Sequence, residues 1–185
     1  GEHFSKTREY AWPEVETFVG ADRDVDTALD LGCGNGRHAA LLADVASRVV
    51  GVDASRALLS AAHERVGDDV AMIQGDASRL PLATDSVTLA VYVATLHHLP
   101  TEADRAASLD ELARVLAPDG EALVSVWSTA HDRFDADADA ATGFDTTVDW
   151  TLPGGETVPR FYHIYAPAEF RAVLDSRSLR VVDFE

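Results

Sequence analysis

Three aspartates and a glycine loop carry the chemistry legible in this chain. The stretch Asp30-Leu31-Gly32-Cys33-Gly34-Asn35-Gly36 follows an apolar run at 27–31 and opens a helical pattern at 36–45. Glycine lets a backbone turn tightly and approach a ligand with no Cβ in the way, and the first turn of the helix offers unpaired N–H groups. Asp53 ends the next apolar run, 49–52, where a carboxylate can accept from both hydroxyls of a ribose. Asp76, within Gly75-Asp76-Ala77, ends a third run. Together they imply an adenosine-like ligand. The glycine spacing is G-x-G-x-G with Arg37 next, whereas a dinucleotide fingerprint is G-x-G-x-x-G. An acid at Asp30, at the strand end, would repel a pyrophosphate and suits an amino or sulfonium group.

These elements must hold the loop. Candidate strands fall at 27–31, 48–52, 70–74, 87–93 and 121–127, with helical patterns at 36–45, 55–66 and 101–116 between them. Ser55 and Thr101 stand as N-caps of the second and third helices. Short β-branched runs separated by helices predict right-handed βαβ units around a parallel sheet. Pro118-Asp119-Gly120 is expected to turn the chain into the fifth strand. Residues 128–159 lapse into Asp, Ala, Thr and Gly and read as an irregular substrate-side insertion lying over the carboxyl ends of the strands, where substrate loops belong. Residues 160–165 return to aromatic character, 167–176 read as a helix and 179–184 as a strand.

With Asp53-Ala54-Ser55 and Gly75-Asp76-Ala77 in place after the glycine loop, the chain resembles the class I S-adenosylmethionine (SAM) methyltransferases. The resemblance implies a Rossmann-like, doubly wound α/β fold with a mostly parallel sheet. No stretch of this chain is left for that fold's final antiparallel strand. It also implies SAM as cofactor, bound by Asp30, Gly32, Gly34, Gly36, Asp53, Ala54, Asp76, Ala77 and Ala94, with the Gly75-Asp76-Ala77 turn against the adenine.

At 185 residues the chain is long enough for one domain whose core buries roughly 70% of its unfolded surface. No run reaches the roughly 18 apolar residues of a membrane span, and residues 1–14 hold no apolar signal region, so a soluble cytoplasmic protein is expected. Cys33 is the sole cysteine, which excludes an internal disulfide and a cysteine-based zinc site. Its place between two glycines marks a small loop residue rather than a nucleophile. The net charge of −17 comes from 32 acidic against 15 basic residues, of which Lys6 alone is lysine. That bias resembles a halophilic archaeal proteome, since self-repulsion of this size is tolerable when salt screens it. It also opposes phosphate contacts to nucleic acid.

Three further clusters narrow the resemblance: His3-Phe4-Ser5-Lys6-Thr7-Arg8 with Trp12-Pro13, Leu96-His97-His98, and Arg160-Phe161-Tyr162-His163-Ile164-Tyr165. In this order they resemble the tRNA methyltransferases that esterify carboxymethyl-uridine at the wobble position. The Asn/Asp-Pro-Pro-Tyr motif common in enzymes that methylate base amines is replaced by Ala94-Thr95-Leu96-His97-His98. A carboxyl group with an ordinary pKa near 4 is already ionised at neutral pH, so its methylation needs placement more than a strong base. Arg8 is expected to form the cationic fork, Arg160 is the second candidate, and His97 is an orienting donor or a contact to the uracil. Phe4, Trp12, Tyr162 and Tyr165 could wall the site or pack in the core.

Related enzymes of this group work with a small zinc-binding activator that adds a strand beside the third strand. Here that is the strand from Val70 to Gln74, whose Val70, Met72 and Ile73 leave the edge poorly defended unless Asp68 and Asp69 guard it. Three other readings stay open: a methyltransferase for a small metabolite or protein side chain, a non-catalytic SAM-binding subunit, and a dinucleotide-dependent oxidoreductase, which Asp30 and Gly36 oppose.

Overall fold

The computed structural model describes residues 10–134, 140–152 and 154–185, which fall into two compact units. The first holds the sheet that was expected. Its elements are α1 (Pro13–Val19), β1 (Val25–Leu31), α2 (Arg37–Leu42), β2 (Ala46–Asp53), α3 (Arg56–Val66), β3 (Ala71–Gln74) and β4 (Val87–Val93). After α4 (Glu102–Val115) comes β5 (Leu116–Ser125). The strand order is β3-β2-β1-β4-β5, and the β1–β2, β1–β4 and β2–β3 pairs are parallel.

The apolar runs explain the sheet. Ala28, Leu29, Leu89, Ala90 and Val91 are wholly buried, because a central parallel strand is covered on both faces and has no polar side to show. Successive crossovers carry the chain from β1 outward to β3, after which it returns to place β4 on the other side of β1. That reversal makes a crevice at the carboxyl end of β1, the place where open α/β sheets bind ligands. Ser55 caps α3 by accepting the Leu58 N–H at 3.3 Å, and Thr101 accepts the Asp104 N–H at 3.0 Å, as the sequence predicted.

Three expectations need correction. Residues 118–120 lie inside β5 instead of forming a turn before it. Strand β5 is the last of the sheet order, and an edge strand tolerates a proline that cannot donate to a neighbour. The 128–159 stretch is not irregular throughout, because it contains β6 (Phe144–Thr151) and the first residues of β7 (Thr157–Ile164). These two strands form an antiparallel hairpin in the second unit, registered from Phe144 opposite Ile164 to Thr151 opposite Thr157. Residues 179–184 form no strand. Val182 is 80% exposed, and a segment without a pairing partner has nothing to satisfy its backbone as a strand.

The second unit is pinned by polar contacts as well as by its core. Its closing helix α5 (Pro167–Asp175) begins with a proline at the first helical position, and Glu169 reaches back to accept the Ala166 and Gly143 N–H groups at 3.2 and 2.7 Å. His163 on β7 bridges Asp145 through Nδ1 at 2.7 Å and Glu169 through Nε2 at 2.9 Å.

Candidate functional site

The glycine loop closes the carboxyl end of β1 by hydrogen bonding to the end of β2. Gly32 and Cys33 both donate N–H to Val52 O, at 2.7 and 3.0 Å, and Gly36 N–H turns back to Cys33 O at 2.9 Å. Gly32, Gly34 and Gly36 all have positive φ (72°, 52° and 78°), a conformation an L side chain rarely adopts. At Gly36 a Cβ would also come within 3.0 Å of Ala62 Cβ on α3. The third glycine therefore lets α2 and α3 approach. Cys33 is buried, and burial with the nearby Asp30 and Asp53 charges pushes its thiol well above the ordinary range, so it stays protonated and inert.

Asp53 anchors the loop. Its Oδ2 accepts the Gly34 N–H at 2.9 Å and its Oδ1 the Ser55 N–H at 2.8 Å, which leaves further lone pairs on each oxygen for hydroxyls. Ala54 links the two loop anchors and accepts at its carbonyl from Gln74 Nε2 at 3.1 Å. Asp76 Oδ1 accepts both the backbone N–H and the hydroxyl of Ser78, at 2.8 and 2.7 Å, which shapes the Asp76-Ala77-Ser78 turn and holds the carboxyl below its usual range. Asp30 differs from both. It is 2% exposed, and its Oδ2 has no hydrogen-bond partner. Burial, opposed by the Ala39 N–H and reinforced by Asp53, lifts its carboxyl to about 7. A buried carboxylate oxygen without a partner is costly unless a ligand supplies a donor or a positive charge.

The second unit gathers another set of groups. Ala94, directly after β4, is held at φ 50°, and its N–H donates to Ser125 O at 3.0 Å. His97 is 1% exposed, and its Nδ1 accepts the Trp127 N–H at 3.0 Å, which leaves Nε2 to carry the proton. Desolvation, with His98 and Arg160 nearby, pushes the His97 imidazole far down; burial and Arg160 take His98 to about 4. Both rings are neutral at physiological pH and poor bases. Tyr162 stacks on Trp127 at 4.5 Å and on His97 at 5.2 Å, each at 24°. Arg160 lies with its guanidinium 4.8 Å from the Trp150 ring on the hairpin.

Of the expected acceptor residues, the structure brings His97 and Tyr162 together. Tyr165 instead packs against His163 and Phe170 and is 3% exposed, so it belongs to the core of the second unit. Trp12 belongs to the first unit, where the Arg37 guanidinium sits 4.8 Å from its ring and His38 Nε2 accepts its N–H at 3.4 Å. Arg8 and Phe4 lie outside the described residues. Trp127 was missed because it closed an apolar run and was counted as strand. Its aromatic neighbours at 131–134 were absorbed into an apparent loop.

A methyltransferase domain model matches residues 29–124, more than half of the chain. The chain belongs to the methyltransferase domain family. SAM is the cofactor of this domain, and the buried, partnerless Asp30 Oδ2, the left-handed glycines and the Asp53 carboxylate fit it. The tRNA (carboxymethyluridine(34)-5-O)-methyltransferase of Arabidopsis thaliana is 35% identical over 130 residues, 70% of this chain and 31% of that protein. The chain thus spans less than a third of that relative's length. An Encephalitozoon cuniculi protein with a provisional methyltransferase name is 30% identical over 183 residues, 97% of this chain and 83% of its own. Among solved structures, a chain from the complex of the Haloferax volcanii Trm112 methyltransferase activator with a provisionally named methyltransferase superposes with a TM-score of 0.62 at 20% identity. That match covers 92% of this chain and 69% of the other, and it agrees with the fold. Among the described residues no helix is long and apolar enough to cross a membrane, and no group of three or more acidic, histidine or cysteine side chains is placed to hold a metal.

Proposed function

We propose that this domain transfers a methyl group to the carboxylate of a carboxymethylated uridine in tRNA. The observation that carries the reading is the setting of the two histidines after β4: His97 is buried with Nδ1 committed to the Trp127 N–H, His98 is half-buried with Nδ1 against Phe161 O, and desolvation lowers both so that they are poor bases. An amine or hydroxyl acceptor must lose a proton, whereas a carboxylate need not. Bound, the cofactor supplies an electrophilic methyl whose S–C bond electrons remain on sulfur as the new C–O bond forms. His97 donates from Nε2 to orient the acceptor, Arg160 or Arg8 offsets the carboxylate charge, and Asp53, Ala54, Asp76 and Ala77 hold the nucleoside half of the cofactor. Similarity to the Arabidopsis tRNA enzyme supports the substrate class.

The reading includes a partner. The Haloferax volcanii neighbour was solved with an activator, and β3 here ends the sheet order, with Met72 and Ile73 only half-buried. A small zinc-binding activator pairing with β3 would cover that edge. A cytoplasmic site of action goes with a tRNA substrate. The net charge of −17 favours a second reading, methylation of a small metabolite or protein side chain. Incubation with labelled SAM and separate tRNA, protein and metabolite fractions tests the choice. Label in tRNA that mild alkali releases supports a methyl ester; label confined to another fraction contradicts it, and tight SAM binding with no label anywhere marks a non-catalytic subunit.

A further inference from the structure

A cavity of about 240 Å³ in the second unit is lined by Val126, Trp127, Ser128, His131, Arg133 and Phe134. It is smaller than the roughly 300–1,000 Å³ of sites for drug-sized ligands, a size that suits a single ring. Its walls are planar and cationic. Tyr162 stacks on the Trp127 indole at 4.5 Å, and the Arg133 guanidinium lies 5.3 Å from the same ring's centroid. Phe134 stands 5.9 Å from Trp127 at 52° and completes an aromatic corner. His131 Nδ1 accepts the Arg133 N–H at 3.0 Å, so the neutral imidazole carries its proton on Nε2 and can donate.

The segment is braced for such a task. Tyr165 N–H donates to Trp127 O at 3.0 Å and Thr129 N–H to Tyr165 O at 2.9 Å, fixing both sides of Ser128 to the end of the hairpin. The Trp127 N–H is held by His97 Nδ1, so the cavity wall and the proposed orienting histidine move as one piece. An aromatic corner, a guanidinium beside it and a nearby imidazole donor recognise a flat ring that carries an anion.

We infer that this cavity is the acceptor subsite and takes a single pyrimidine ring bearing a carboxylate, with the ring in the corner between Trp127 and Phe134 and the carboxylate on Arg133. The inference rests on the proposed tRNA carboxylate chemistry and deepens it. It assigns to Arg133 the carboxylate contact for which Arg8 and Arg160 are the other candidates, and it explains product release: esterification removes the charge that the guanidinium holds.

The test is binding of 5-carboxymethyluridine, its methyl ester and uridine to the full chain, followed by tryptophan fluorescence and ligand-observed NMR, with methyl transfer to tRNA measured in parallel. The acid should bind about tenfold more tightly than ester or uridine, the scale of one charge-assisted pair. Arg133→Gln should erase that preference, Arg133→Lys should keep part of it, and Trp127→Leu should weaken acid and ester alike. Equal binding of acid and ester, or a preference that survives Arg133→Gln and disappears with Arg160→Gln, overturns the subsite. Acid preference through Arg133 with no methylation of tRNA would leave the subsite standing and defeat the substrate reading.

Discussion

Asp30 shows what the cofactor must bring. Between about 4 and about 7 the folded chain keeps a proton on this buried carboxyl that the unfolded chain releases, so the group's contribution to stability falls as pH rises through that window. A cationic ligand beside Oδ2 favours the ionised form and expels the proton. SAM affinity is therefore expected to rise several-fold from pH 5.5 to 7, with proton release seen as buffer-dependent heat in calorimetry, and Asp30→Asn should flatten the dependence. An unchanged affinity across that range in the parent chain would remove Asp30 from the cofactor's surroundings. The aspartates were legible in the sequence because each ends a short apolar run. Their differences were not: Asp53 and Asp76 accept backbone N–H groups close in the fold, whereas Asp30 faces a hydrogen-bond deficit that only three-dimensional packing creates.

At the scale of elements, Gly36 joins loop geometry to helix packing. Gly36→Ala combines a left-handed φ of 78° with a 3.0 Å approach to Ala62 and should cost about 1–2 kcal/mol, read from the urea midpoint. Strand β3 carries the partner prediction. Met72→Asp should abolish co-purification with a small zinc-binding activator while leaving the circular dichroism of the chain unchanged; an intact complex would move the partner elsewhere. Strands β1, β2 and β4 were readable because buried parallel strands concentrate apolar and β-branched residues. The hairpin was overlooked although Phe144, Thr146, Val148 and Trp150 alternate with Asp145, Thr147 and Asp149. Aspartate and threonine on its exposed face lowered the apparent β content. The opposite error came at 179–184, where apolar alternation exists without a strand to pair with.

At the scale of the whole molecule, charge and buried histidines set the working conditions. A net charge of −17 should make the thermal midpoint rise with added KCl well beyond the 0.15 M range, because screening relieves self-repulsion. His38 and His98 are lowered to about 4 by burial, and His97 further, so each is neutral in the folded chain. Stability should consequently be lost as pH falls from about 6.5 towards 4, where the unfolded chain takes up protons that the folded chain refuses. A flat thermal midpoint across that interval would contradict the buried, neutral assignment.

Ester formation on tRNA can be read directly from the modified nucleoside. The direct measurement is mass spectrometry of nucleosides from tRNA carrying carboxymethyluridine at the wobble position, after incubation with SAM and this chain, with and without a co-expressed zinc-binding activator. The acid should be converted to its methyl ester, a change reversed by mild alkali and strongest when the activator is present. An untouched carboxymethyluridine in the presence of the activator, with methyl groups appearing on any other nucleoside or on none, would contradict it.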